Sequence, residues 1–125
     1  MAPHPTALDW AHRAAWAAAE KQATDIKLID VSDRLGITDI FVLASAANDR
    51  QVKSVVDAIE ASLDQIDVDP LRREGEQLGR WVLLDYNDIV VHVMHVEERS
   101  FYDLERLWRD SPELEIPPAP ADWSL

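Results

Sequence analysis

The chain contains no cysteine. That absence removes disulfides, thiolate nucleophiles, zinc–thiolate sites and iron–sulfur clusters together, and it fits a reducing compartment. Glycine is nearly as scarce: Gly36, Gly75 and Gly79 are the only three in 125 residues. Neither a Walker loop nor a dinucleotide fingerprint can be written with them, and no Gly-x-Ser-x-Gly elbow supports an esterase-type serine. Basic residues are few, 12 Lys and Arg against 24 Asp and Glu, for a net charge of −12. Such a chain repels phosphate backbones, so direct sequence-specific nucleic-acid binding is not expected. A basic protein surface is the natural charged partner. No apolar run approaches the roughly 20 residues that span a bilayer, so no membrane partner is expected. The start, Met1-Ala2-Pro3-His4-Pro5, lacks the basic and apolar regions of a signal peptide. One cytoplasmic domain is the resulting expectation.

What is present is mostly helix and strand signal. Residues 1–5 read as a short loose arm. Eight alanines between Ala7 and Ala23 predict a first helix, with Thr6 as its cap. A second helix follows Asn48, with Gln51 at the capping-box position. Its apolar stripe is Val52, Val55, Val56, Ile59, Leu63 and Ile66. A third starts near Ser100 and carries Phe101, Leu104, Leu107 and Trp108. Strands are predicted over 26–31, 40–44, 71–74, 81–85 and 89–96, the first of the last pair joined to the second by Tyr86-Asn87-Asp88. Asn or Asp accepts the left-handed geometry such a short turn needs. The short turn demands an antiparallel pair, whereas the long helix after Ala44 permits a parallel crossover. The predicted fold is therefore α+β: one mixed sheet of about five strands with three helices packed on it. Residues 6–110 form the expected single domain. Residues 111–125, rich in proline, read as an extended or disordered tail.

Enzyme chemistry finds little purchase in these residues. His92 and His95 are three apart on a strand and so face opposite ways, and no cysteine completes a metal site; no metal and no cofactor is expected. The strand–loop–helix passage Phe41 to Asn48 is similar in order to the opening of nucleotidyltransferase domains. Those need Gly-Ser at that loop and a pair of strand carboxylates for Mg²⁺. Here Ala44 precedes Ser45, and no carboxylate pair stands at the required spacing. Surface chemistry remains. Residues 97–115 hold seven carboxylates and three arginines, which reads either as a solvated face or as a docking patch for a basic partner. Trp81 fits either the core or such a patch, and Tyr86 and Tyr102 suit a boundary where the ring packs and the hydroxyl stays wet.

Three runs are more specific. The first is Thr38-Asp39-Ile40-Phe41-Val42-Leu43-Ala44-Ser45 followed by Arg50-Gln51-Val52. The second is Glu74-Gly75, then Gly79-x-Trp81 through to His92. The third is Arg99 through to Trp108. Together they resemble the Iojap-like ribosomal silencing factors over about residues 8–110, with Ile40 in place of a usual aromatic and Asn87 in place of a common glycine. The resemblance implies a nucleotidyltransferase-like fold without catalytic residues. It implies a translation repressor that binds the large ribosomal subunit through its fourteenth ribosomal protein and blocks joining of the small subunit when nutrients run short. A large-subunit assembly factor and an active nucleotidyltransferase are the rival readings. The residues expected to meet the partner are Glu74, Trp81, Asp85, Tyr86, His92, Arg99, Tyr102 and Glu105. The apolar run in both late strands leaves an uncovered face, which predicts a homodimer off the ribosome.

Overall fold

The computed structural model describes residues 2–125. Helix α1 (Pro5–Glu20) opens the chain, followed by strand β1 (Thr24–Asp30), a single turn α2 (Ser32–Leu35) and strand β2 (Ile40–Ala46). Helix α3 (Asp49–Asp64) leads to β3 (Arg72–Glu74), β4 (Trp81–Asp85) and β5 (Ile89–His95). Two short helices, α4 (Val96–Tyr102) and α5 (Leu104–Leu107), precede a last strand β6 (Glu113–Leu114). The six strands form one sheet in the order β3-β4-β5-β2-β1-β6. Only β2 and β5 run parallel; every other neighbouring pair is antiparallel. The mixed α+β sheet is thus as predicted, with one strand more than expected.

Helices α1 and α3 pack on each other and on the same face of the sheet. Six alanines of α1, among them Ala7, Ala11 and Ala14, are essentially without solvent contact, which lets the helix backbone approach closely. The stripe of α3 meets Val42, Ala44, Val82, Leu84, Val91 and Val93 in one buried cluster. Asn48 caps α3 as expected: its side chain accepts from the Gln51 N–H at 2.9 Å, while the Gln51 side chain accepts from the Ala47 N–H at 2.7 Å. Asn87 takes the left-handed conformation the β4–β5 turn requires, at φ 69°, and Ile40 is fully buried in the core.

Three expectations are corrected. His4, not Thr6, caps α1: its Nδ1 accepts from the Thr6 N–H, and its own N–H donates to Asp39 at 2.7 Å. Residues 4 and 5 are therefore held, while Met1 lies outside the described residues. The third helix is not one helix from Ser100 but two, begun by the His95 cap and broken at Asp103, whose φ of 47° is left-handed. The tail is extended yet attached. Leu114 pairs with Leu28 across β1, and the Trp16 indole N–H donates to the Pro117 carbonyl at 2.7 Å. Prolines exclude that segment from the sheet interior, but an edge strand with carbonyls free to accept suits it.

Replacing Asn48 by Ala removes one reciprocal cap and should cost about 1 kcal/mol of stability. For a domain of this size that is a fall of roughly 4 °C in melting temperature, read by calorimetry.

Candidate functional site

The pleat sends alternate residues of each strand to opposite faces. With α1 and α3 both on one face, the other carries Lys27 and Ile29 of β1, Phe41, Leu43 and Ser45 of β2, Val90, His92 and Met94 of β5, and Trp81, Leu83 and Asp85 of β4. Only the short α4–α5 segment lies over it. Leu104 and the following Trp108 cover Ile29, Val31 and Leu43, while Leu83 and Val90 stay half-exposed at the other end.

Aromatic rings cross this open face in an unbroken row. Trp108 meets Phe41 with centroids 5.1 Å apart, Phe41 meets His92 at 5.0 Å, and His92 meets Trp81 at 6.0 Å. Trp81 then meets Tyr102 at 4.9 Å, and Tyr102 meets Phe101 at 5.0 Å. The contacts are edge-on or tilted, as ring quadrupoles favour. At the exposed end, Tyr102 keeps 50% of its surface and Phe101 79%. Trp81 is half-buried and belongs to this face, whereas its neighbours Val82 and Leu84 belong to the core.

The row is set by polar contacts beneath it. The Trp81 indole N–H donates to His92 Nδ1 at 3.1 Å, which requires that nitrogen to be unprotonated. Burial, with a smaller effect from the Arg99 charge, holds the His92 pKa down to about 4. Next to it, Arg99 is buried at 6% exposure. Its Nη1 donates to the Ser45 hydroxyl at 2.8 Å, and its Nε and Nη2 grip both Glu105 oxygens at 3.1–3.2 Å. Lys27 adds a second cation at 3.6 Å from Glu105. Burial alone would raise the Glu105 pKa, but the Arg99 hydrogen bonds and charge hold it below the ordinary value. The break at Asp103 makes this possible. Six positions along a regular helix place two side chains about 120° apart, whereas the left-handed residue turns Glu105 back onto Arg99.

Loop geometry fixes the near edge. A Cβ on Gly75 would lie 1.9 Å from the Trp81 carbonyl oxygen, and φ there is +83°. Only glycine lets the loop pass so close to the strand that carries the tryptophan.

The eight expected partner-binding residues therefore divide. Trp81, Glu74 and Asp85 lie along the β3–β4 side of the open face, Trp81 and Asp85 at opposite ends of β4, and Tyr102 packs on Trp81. Glu74 pairs in register with Leu83 and is exposed; Asp85 lies opposite Arg72, which it binds at 3.1 Å. His92, Arg99 and Glu105 lie beneath the face and shape it. Tyr86 is corrected: it is 3% exposed and packs in the helix-covered core. Its hydroxyl has no hydrogen-bond partner, and burial raises its pKa. As the residue after Asp85 it points to the opposite side from Trp81. The sequence reading missed Phe41 and Ser45, whose only signal was position, since 41, 43 and 45 alternate with core residues 40, 42 and 44, and it placed Phe101 and Trp108 only on the apolar side of its third helix. Among the described residues, no group of three or more His, Asp or Glu is arranged to hold a metal ion, and no helix is long and apolar enough to cross a membrane.

Comparison with known proteins adds to this geometry. The family model described as ribosomal silencing factor during starvation matches residues 4–123. A ribosomal silencing factor from Bacillus subtilis is 38% identical over 99 residues, covering 79% of this chain and 84% of that protein. The mouse protein named mitochondrial assembly of ribosomal large subunit protein 1 is 30% identical over 92 residues, covering 71% of this chain and 40% of that protein. A crystal structure from Chromobacterium violaceum aligns with a TM-score of 0.79 at 30% identity, covering 92% of this chain and 95% of that one.

Two outcomes follow from the buried polar contacts. Glu105→Gln leaves Arg99 buried without its anion and should cost about 3–5 kcal/mol in urea unfolding. Glu74→Gln, fully on the surface, should change stability by less than about 0.5 kcal/mol. The second outcome concerns pH. Below about 6.5 the unfolded chain protonates His92, but the folded chain does not until about 4. Stability contributed by this residue is therefore present above 6.5 and lost as pH falls through that window. Between pH 7 and 4.5 the wild type should lose about 2 kcal/mol more than His92→Phe, measured by denaturant unfolding at each pH.

Proposed function

The chain belongs to the ribosomal silencing factor family, and from that premise we propose that its open sheet face is the surface by which it docks on the large ribosomal subunit. The observation that carries the reading is the aromatic row ending in Trp81, Tyr102 and exposed Phe101. Trp81 on a rigid strand and Tyr102 at the end of α4 offer large contact area at little entropic cost, and tryptophan and tyrosine are among the types most enriched in binding hot spots. Two half-exposed aliphatic residues, Leu83 and Val90, extend the patch. Glu74 stands at its rim without an ion pair among the described residues and suits a basic partner.

The partner we propose is the fourteenth protein of the large subunit, on the side that meets the small subunit. A protein parked there blocks joining by occupying space, needs no chemistry, and damps translation when nutrients are short. No catalytic constellation is required for this action. In the absence of the ribosome the same face would serve a second copy, giving a homodimer that competes with docking. A second reading is assembly of the large subunit at the same site, which the name of the mouse relative favours.

Pelleting with isolated large subunits, followed by addition of small subunits, tests both readings. Silencing predicts that the chain pellets with mature large subunits and that joined ribosomes fall in proportion. An assembly role predicts enrichment on precursor particles with joining unaffected. Trp81→Ala should weaken pelleting by roughly 30-fold, the effect of losing about 2 kcal/mol, while still giving a cooperative melt. Glu74→Lys should slow association and flatten its salt dependence. Wild-type affinity from Trp81→Ala would remove the face from the contact.

A further inference from the structure

The tail joins the two faces of the sheet. Trp108 packs on the open face against Phe41. Three residues on, the Ser111 N–H donates to the Trp108 carbonyl at 2.8 Å, and the Pro112 carbonyl accepts from the Asp30 N–H at 2.8 Å. The next residues pair with β1, with Glu113 opposite Ile29 and Leu114 opposite Leu28. Leu114, Ile116 and Trp123 then pack on the helix-covered side. The chain has thus passed around the outer edge of β1, from one face to the other.

On that far side it is fastened to α1. The Trp16 indole N–H donates to the Pro117 carbonyl, and the Trp16 and Trp123 rings meet edge-on with centroids 5.7 Å apart. The Gln65 side-chain amide donates to the Ser124 carbonyl at 2.9 Å, which adds α3 to the attachment. Proline suits such a strap: it has little conformational freedom to lose, and its carbonyls remain free to accept.

We infer that Trp16 is a positioning residue for the docking face, acting through the C-terminal strap although it lies on the opposite side of the sheet. Helix α5 has four residues, and Leu104 at its start is its one side chain packed on the buried apolar cluster of the open face, so its place depends largely on what holds its ends. At one end Arg99 grips Glu105. At the other, Trp108 is held by Phe41, by the Arg34 cation over its ring at 5.6 Å, and by the strap that begins at Ser111. Pulling the strap onto β1 keeps α5 and Trp108 seated, and with them the end of the aromatic row. Free of it, the segment would have to be ordered on docking, and that ordering weakens binding.

The docking part of this inference rests on the reading above; the strap itself does not. The experiment is hydrogen–deuterium exchange on the free full-length protein, with Trp16→Phe (ring kept, donor lost) and Trp123→Ala. Exchange should rise by roughly tenfold or more in the tail 112–117 and also in 104–110, while β5 keeps its protection. The same variants should pellet with large subunits several-fold more weakly. Faster exchange in the tail with 104–110 unchanged overturns the inference, as does a tail that keeps its protection in Trp123→Ala. Equal acceleration in β5 marks general destabilisation and overturns it too. Because exchange is read without ribosomes, failure of the wild type to pellet would count against the docking reading alone.

Discussion

Pairing β2 parallel to β5 obliges the chain to leave one end of the sheet and re-enter at the other, and α3 makes most of that return. A crossover helix must lie on one face. Helix α1 packs along it and so takes the same face, its alanines allowing close contact. Both long helices are then spent on one side. The other side is left with two helices of seven and four residues, too little to cover strands that are apolar on both faces. An open, aromatic sheet face is therefore a consequence of the topology, before any partner is considered.

That face has to stay ordered without a large helix over it. Burying a guanidinium is costly unless its donors are met, and here Ser45 and both oxygens of Glu105 meet them. The pair ties β2 to the α4–α5 segment, and Lys27 ties β1 to the same carboxylate. His92 plays the equivalent part for Trp81: a neutral, buried acceptor that fixes the indole by its N–H. The surface so presented is apolar and aromatic, with the Arg99 donors and His92 Nδ1 met underneath and His92 Nε2 buried there without a partner among the described residues. Such preorganisation lowers the entropy lost on binding.

Of the seven carboxylates in residues 97–115, whose composition suits either a solvated face or a docking patch, three are tied up in ion pairs. Glu105 binds Arg99, Asp85 binds Arg72, and Glu97 and Glu98 bind Arg80. Glu74 and Asp103, both exposed, have no ion pair among the described residues. In the proposed docking, such rim charges would set the approach of a basic surface more than the strength of the final contact.

Much of this was legible in the residues. The stripe of α3, its Asn48 cap, the strands 81–85 and 89–96 (the latter ending at His95 in the structure), and the Asn87 turn are local patterns, because helix and strand periodicities are written at short range. The three signature runs carried the family in the same way. What could not be read locally was decided by contacts distant in sequence. Whether Trp81 or Tyr86 faces out depends on which side of the sheet α1 and α3 choose, and neighbours on a strand must differ. The break at Asp103 brings Glu105 onto Arg99, a contact between residues six apart that a continuous helix would not make. The tail, proline-rich and loose by composition, is held by Trp16, about a hundred residues earlier. Sequence alone determined the two long helices, the five strands before residue 97 and the family; tertiary structure decided the split third helix, the tail strand, and which aromatic residues are surface and which are core, since burial is a property of the assembled layers.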